Sequence, residues 1–376
     1  MSRTTIYLDY NATSPVRECV REACLSAMDL PLNPSSVHRY GAEAKKRLEA
    51  ARRSIANSVA AFPNEVIFTA SGSEANALAL RGFQGRPIIT SSIEHASVQK
   101  TASLMGAATT PVDSQGVVEL AALDAMLAAL GTPALVSIIL ANNETGVIQP
   151  VREIAEIVHQ RGGYLHCDAV QAFGKIPLDM GLMGVDMMTI SGHKVGGMVG
   201  VAALILRNDI AITPLIYGGR QETGRRAGTE ALPLIAGFAA LAEQVTDTRE
   251  SSAIRTLRDR FEQRVCKHLP KEYIMSHGAE RLANTSMIVM PKVTSETQLI
   301  QFDLQGFCVS AGSACASGRI EPSHVLRAMG VAEDSAACAL RISLGWASIE
   351  AEIDAFADAW EKLYQTLGLA QQQATA

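Results

Sequence analysis

Met187-Met188-Thr189-Ile190-Ser191-Gly192-His193-Lys194 decides the fold, because an apolar, β-prone run passes within a few residues into a lysine. Such a run, closed by a glycine, reads as a strand buried on both faces of a sheet. A lysine at its end is expensive to desolvate, so it calls for a chemical reason. Upstream, Tyr164-Leu165-His166-Cys167-Asp168 ends a second short run in an acid.

Working outward, the region between about residues 60 and 210 alternates short β-branched runs with helical stretches, the pattern of an α/β sheet of mainly parallel order. Val66-Ile67-Phe68 precedes a helix predicted to begin near Glu74, and Ile88-Ile89-Thr90 one beginning near Ala96. Val136 to Leu140 runs into Asn142-Asn143-Glu144, and Val201 to Leu206 supplies a further buried strand. After about residue 250 the texture changes to a long amphipathic helix through Arg255-Leu257-Phe261-Val265 and then shorter strands. That change predicts a smaller second domain closed by a helix from about Ile349 to Leu367.

Two strand ends, one bearing an amine and one a carboxylate, suit a carbonyl cofactor held covalently at its aldehyde and electrostatically at a ring nitrogen, the arrangement pyridoxal phosphate needs. Lys194 would supply the amine, its pKa depressed by a partly cationic pocket, and Asp168 would keep the ring nitrogen protonated. Thr69-Ala70-Ser71-Gly72-Ser73-Glu74 lies between a strand and a helix. By itself it reads as an ordinary helix cap, but beside Lys194 and Asp168 it becomes a phosphate site at a helix N-terminus. Glu94-His95 follows a strand at the edge where open α/β sheets bind ligands, which favours a catalytic or ring-stacking histidine. Cys315 sits in the small-residue run Ser310 to Gly318, where a thiol is accessible and nucleophilic. Arg341 alternates with Leu340, Ile342 and Leu344 and is either a carboxylate-binding fork or a solvated edge-strand arginine.

The composition bounds these readings. With 376 residues, 48% hydrophobic and 19% charged, the chain has ample material for two folded domains. A formal charge of -5 carries no basic excess and argues against nucleic acid as the main ligand. Seven cysteines without CxxC spacing argue against a disulfide scaffold or a zinc knuckle. The N-terminal stretch lacks the apolar core of a secretory signal, and no apolar run approaches the roughly 20 residues of a membrane span. A cytoplasmic protein with no membrane association is the expectation.

Taken in order, Tyr7 to Thr13, Asn33-Pro34-Ser35-Ser36, Thr69 to Glu74, Glu94-His95, Asn142-Asn143-Glu144, Asp168 to Gln171, Ser191 to Lys194, Arg226 to Thr229 and Gly312 to Cys315 resemble the pyridoxal-phosphate-dependent cysteine desulfurases of the nitrogen-fixation and iron-sulfur-cluster type, within the class V aminotransferase group. The resemblance covers nearly the whole chain. It implies fold type I of the pyridoxal-phosphate-dependent transferases, α/β, with a mainly parallel seven-stranded sheet in a large cofactor-binding domain, residues 12–250. A smaller α/β domain, residues 1–11 and 251–376, would carry the Cys315 loop.

The resemblance further implies that Lys194 holds the cofactor aldehyde, Asp168 pairs with the ring nitrogen, Gln171 contacts the ring hydroxyl and His95 stacks on the ring. Gly72, Ser73, Ser191 and His193 would bind the phosphate, joined by Thr229 from the other subunit of a homodimer. Asn143 and Arg341 would hold the carboxylate of L-cysteine. Cys315 would carry the persulfide to an acceptor protein such as an iron-sulfur scaffold, touching a cluster at most transiently, with no resident metal. The chain departs from the family pattern close to the site: Gly196-Gly197-Met198-Val199-Gly200 stands where Tyr-Gly-Pro-Lys-Gly is common, Arg220 where a third glycine is usual, and Thr223 where an arginine is usual. The rival expectations are a selenocysteine lyase or another aminotransferase-type enzyme on the same fold, and a low-activity scaffold in a sulfur-transfer complex.

Overall fold

A computed structural model describes residues 5–29, 31, 33–245, 248–312 and 323–368 of the chain. The strands are β1 (Ile6–Tyr7), β2 (Val66–Thr69), β3 (Ile88–Ser91), β4 (Ala108–Thr110), β5 (Leu135–Ile139), β6 (Tyr164–Asp168), β7 (Met187–Ser191), β8 (Ala202–Leu206), β9 (Thr285–Val289), β10 (Phe307–Cys308) and β11 (Ala339–Ser343). Among the helices, α1 (Glu18–Met28), α2 (Arg39–Ser58), α3 (Gly72–Gly82), α4 (Ala96–Leu104), α5 (Leu120–Leu130), α6 (Val151–Gln160), α7 (Met180–Met183) and α8 (Leu232–Gln244) interleave with or flank the first strands. They are followed by α9 (Thr248–Val265), α10 (Ser295–Asp303), α11 (His324–Ala328), α12 (Glu333–Ala336) and α13 (Glu350–Leu363).

Seven strands form one sheet in the order β2-β8-β7-β6-β5-β3-β4. All its neighbours run parallel except β8, which is antiparallel to both β2 and β7. Helices cover both faces, so β7 is buried at all five positions and reads as a continuous apolar run. Successive residues still point to opposite faces: Met188 and Ile190 join one apolar cluster with Val136, Leu165 and α6, while Met187 joins another with Leu78 of α3 and Val98 of α4. Helix α6 shows why it seats where it does. Its buried residues Val151, Ile154, Ala155 and Val158 fall at helical spacing on one stripe.

A third apolar cluster is built from Leu8, Phe261, Ile288, Phe302, Phe307, Ile342, Phe356 and Trp360. It joins α9 and α13 to the antiparallel pair β9–β11 and to β1, which runs parallel to β10. The N-terminal residues therefore pack with elements some 300 positions away in sequence. Among the described residues no helix is long and apolar enough to cross a membrane.

Two details differ from the sequence expectations. The helix expected near Glu74 begins two residues earlier, at Gly72, because Ser71 caps it by accepting the Glu74 N–H at 3.2 Å. Arg341 is not a solvated edge residue: it is 4% exposed, on a strand buried along its whole length. The departures after Lys194 also have a structural counterpart. Gly196 adopts φ +106°, and a Cβ there would fall 2.4 Å from Cγ of Arg17, whose Nε donates to the Val195 carbonyl at 2.8 Å. Thr223 follows Glu222 in the left-handed region, at φ +56° and +46°. Glu222 is held there by a buried two-point ion pair with Arg52, at 2.7 and 2.9 Å. Nothing in the structure explains Arg220.

Candidate active site

The strand ends of β3, β5, β6 and β7 open onto one cleft of about 700 Å³, open solvent at its mouth included, lined among others by His95, Asn143, Asp168, Gln171, His193 and Lys194. This is the carboxyl edge of the sheet, where the helix N-termini of the crossovers also converge. Asp168 closes β6 and Lys194 follows β7, the next strand of the sheet. The two residues picked out by their places at strand ends thus face a common space.

Lys194 is pushed down to about 8, chiefly by desolvation, with the Arg341 cation adding to the effect and Asp168 and Asp9 opposing it. A substantial fraction of the amine is therefore neutral near physiological pH, as a nucleophile for a carbonyl requires. His193 is pushed down to about 4 by burial and by the neighbouring Lys194 and Lys175. It faces the cleft as a neutral imidazole.

Asp168 accepts from the Val170 N–H at 3.0 Å and from Asn76 Nδ2 at 2.7 Å. The same Asn76 nitrogen lies 2.9 Å from Ser97 Oγ, which lies 2.8 Å from His95 Nδ1. Because Nδ1 also accepts the Ser97 N–H at 3.2 Å, the ring proton is assigned to Nε2. Burial lowers the His95 pKa, so a neutral ring stands beside the carboxylate, oriented by a hydrogen-bond chain that starts at Asp168 itself.

At the N-terminus of α3, Ser71 Oγ is engaged as the cap, while the N–H groups of Gly72 and Ser73 and the Ser73 hydroxyl have no protein partner among the described residues. A Cβ at Gly72 would come 2.9 Å from Val170 Cγ2, so only glycine lets this turn lie against the segment after Asp168. Free donors at the positive end of a helix form an anion cup.

Arg341, on β11, lies near Lys194 but is not among the residues lining the cleft. Its NH1 donates to the Asn143 carbonyl at 2.9 Å and its NH2 to Asp9 Oδ1 at 2.6 Å, while the buried Nε has no partner. A buried guanidinium held on one edge, with a donor to spare, is suited to a carboxylate.

Not every expected residue converges. The Ser191 hydroxyl is 1% exposed and directed at the Val201 carbonyl, 3.4 Å away, and is not part of the cleft wall. Thr229 is exposed on the loop before α8 and reaches nothing in its own subunit's cleft. Cys315 lies outside the described residues. Other residues at the site were not singled out by the sequence: Asn76 on α3, Ser97 on α4, Lys175 in the turn after β6, and Asn11. The last accepts from Gln171 Nε2 through its carbonyl at 3.0 Å and from Lys175 Nζ through Oδ1 at 2.9 Å. It also donates to Thr285 Oγ1 at 2.8 Å and to the Asn143 carbonyl at 3.2 Å. Asn11 carries no local pattern that marks it, since its partners, with Ser343 Oγ accepting its N–H at 3.0 Å, lie on four distant segments around residues 143, 171–175, 285 and 343.

An amine of lowered pKa, a hydrogen-bonded carboxylate and an anion cup around one cleft fit a phosphorylated pyridine aldehyde in the chemistry of their donors. The chain matches the family described as aminotransferase class-V over residues 6–356. It is 39% identical to a cysteine desulfurase of Nostoc sp. over 97% of this chain and 94% of that protein. A solved NifS-like protein from Rickettsia africae superposes with a TM-score of 0.89 at 39% identity, covering 96% of this chain and all of that one. A structure described as SspA in complex with cysteine gives 0.77 at 30% identity, covering 92% of this chain and all of that one. The chain therefore belongs to the aminotransferase class-V family and, within it, to the cysteine desulfurases.

Proposed function

We propose that this protein is a pyridoxal-phosphate-dependent cysteine desulfurase that converts L-cysteine to L-alanine and passes the sulfur, as a persulfide on Cys315, to an acceptor protein. The observation that carries the reading is the meeting of Lys194, Asp168 and the unpartnered N-terminus of α3 at one cleft. Bound there, the cofactor supplies a protonated ring that accepts the electrons left when the substrate α-carbon loses its proton. Lys194 would hold the aldehyde and, as a neutral amine, would serve as the base for that proton. Asp168 would maintain the ring nitrogen's charge, His95 would pack on the ring, and Gln171 would donate to the ring oxygen. Gly72, Ser73 and His193 would hold the phosphate, with Ser191 bracing the turn and Thr229 contributed across a homodimer.

Arg341 and Asn143 orient the substrate carboxylate. The Cys315 thiolate then attacks the substrate sulfur, forming an S–S bond as the C–S bond breaks, and the carbon fragment takes up protons and leaves as alanine. The relatives' names and a cysteine-bound relative support the choice of substrate. The acceptor is proposed to be an iron-sulfur scaffold, the compartment the cytoplasm, and the division into domains residues 12–250 against 1–11 with 251–376. The test is alanine release from L-cysteine by cofactor-loaded protein with a thiol reductant. Turnover in the parent that falls to background in Cys315→Ala is expected. No turnover in the parent would contradict the desulfurase reading, and undiminished alanine formation in the variant would contradict the role of Cys315.

A further inference from the structure

A second amine stands behind the cleft wall, against Gln171. Lys175 Nζ lies 2.9 Å from Gln171 Oε1 and 2.9 Å from Asn11 Oδ1, both acceptors. Gln171 is thereby fixed at both ends of its carboxamide: the oxygen accepts from Lys175 Nζ, and one Nε2 hydrogen goes to the Asn11 carbonyl at 3.0 Å. A primary amide nitrogen carries two hydrogens, so one N–H of this cleft-lining residue is left for the cleft. Were the amide turned over, Oε1 would face the Asn11 carbonyl, which only accepts, and the Lys175 amine would lose its acceptor. One contact would become repulsive and the other bond would be lost, so the orientation follows from the chemistry of the partners.

We propose that Lys175 is a positioning residue, locking Gln171 so that it presents a donor, never an acceptor, to whatever oxygen is seated beside Asp168 and Lys194. The inference rests on the cofactor reading above for the identity of that oxygen, the ring oxygen of pyridoxal phosphate. Burial pushes the Lys175 amine well below the ordinary lysine value, with Lys194 and Arg341 adding to the effect, and the amine donates to Gln171 whether charged or neutral. The stretch from Asp168 to Lys175 therefore delivers three functions: a ring-nitrogen partner at Asp168, a ring-oxygen donor at Gln171, and the amine at Lys175 that sets the donor's direction.

The experiment compares Lys175→Met, Lys175→Arg, Gln171→Leu and the double variant Lys175→Met/Gln171→Leu with the parent. Pyridoxal phosphate affinity is read by equilibrium titration of cofactor-free protein, and the Gln171 side-chain amide by nuclear magnetic resonance of cofactor-free protein, assigned by its loss in Gln171→Leu. Lys175→Met is expected to shift the Gln171 amide resonances and to weaken affinity about tenfold, with the double variant no weaker than Gln171→Leu alone, while Lys175→Arg, which keeps a donor, stays near the parent. Unshifted amide resonances in folded Lys175→Met, or affinity losses that add in the double variant, would overturn the proposal. If Lys175→Met does not fold, Lys175→Gln takes its place with the same expected and contrary results. Failure of the parent to take up cofactor at all would refute the cofactor reading while leaving the Gln171 amide resonances to judge Lys175.

Discussion

Lys194 occupies its place because β7 ends there, but what makes it reactive is its surroundings. With a midpoint of about 8, the rate at which Lys194 captures a carbonyl probe in cofactor-free protein should rise with pH and level off above that value. A profile rising toward the ordinary lysine range would show the pocket to be wetter than described. Replacement by alanine should lower turnover about 10³-fold, within the range for loss of a positioned base, with the fold intact by circular dichroism. Glu94 gives a second prediction. It is fully buried and pushed up to about 8 by burial, with Oε2 unpartnered. Its native pKa lies above the unfolded value near 4.5, so the folded protein holds a proton that the unfolded chain has lost. Stability contributed by this group is therefore present below about 4.5 and lost as pH rises toward 8. Glu94→Gln, uncharged at every pH, should unfold at a higher temperature than the parent at pH 8 and within a degree or two of it at pH 5. Equal differences at both pH values would refute the assignment. Both residues show what a sequence discloses at this scale: Lys194 and Asp168 stand out as ionisable groups ending apolar runs, whereas Lys175 follows Gly174 in a turn where a lysine is unremarkable.

At the scale of elements, the α3 N-terminus and the β11 strand carry separate halves of the site. Ser73→Ala removes a hydroxyl donor to a charged group and should weaken cofactor affinity about tenfold to a hundredfold, read by equilibrium titration of cofactor-free protein. Ser71→Ala touches only the cap and should cost about 1 kcal/mol of stability with affinity little changed. Comparable affinity losses in the two variants would mean that the cup acts through helix stability and not through contact. The elements themselves were legible where their patterns were strong. Short β-prone runs mark β5 to β8 in the sequence. The start of α3 expected from the sequence falls two residues late because a Gly-Ser opening has low helix propensity, and the Ser71 cap overrides it. The two readings of Arg341 could not be separated by alternation alone, since strand β11 is buried on both sides and only packing distinguishes the cases.

At the scale of the whole molecule, Asn11 ties the N-terminal segment to the Asn143 turn, to Thr285 and Asn284 beside β9, and to the Gln171–Lys175 turn. It joins the cofactor side of the cleft to the elements that bring Arg341. Asn11→Ala leaves several buried polar groups without partners and should lower the free energy of unfolding by about 3 kcal/mol in a denaturant titration. A change under about 0.5 kcal/mol would show that water replaces the side chain. This long-range network could not be read from the chain, because no local spacing links residue 11 to residue 284. The account as a whole turns on one covalent anchor, Lys194, in a cleft whose wall residue Gln171 is backed by a second amine, Lys175. The direct measurement is to treat the cofactor-loaded protein with borohydride, digest it, and locate the fixed cofactor mass by peptide sequencing. The added mass on Lys194 is the predicted result; its appearance on Lys175, or on no lysine, would contradict the account.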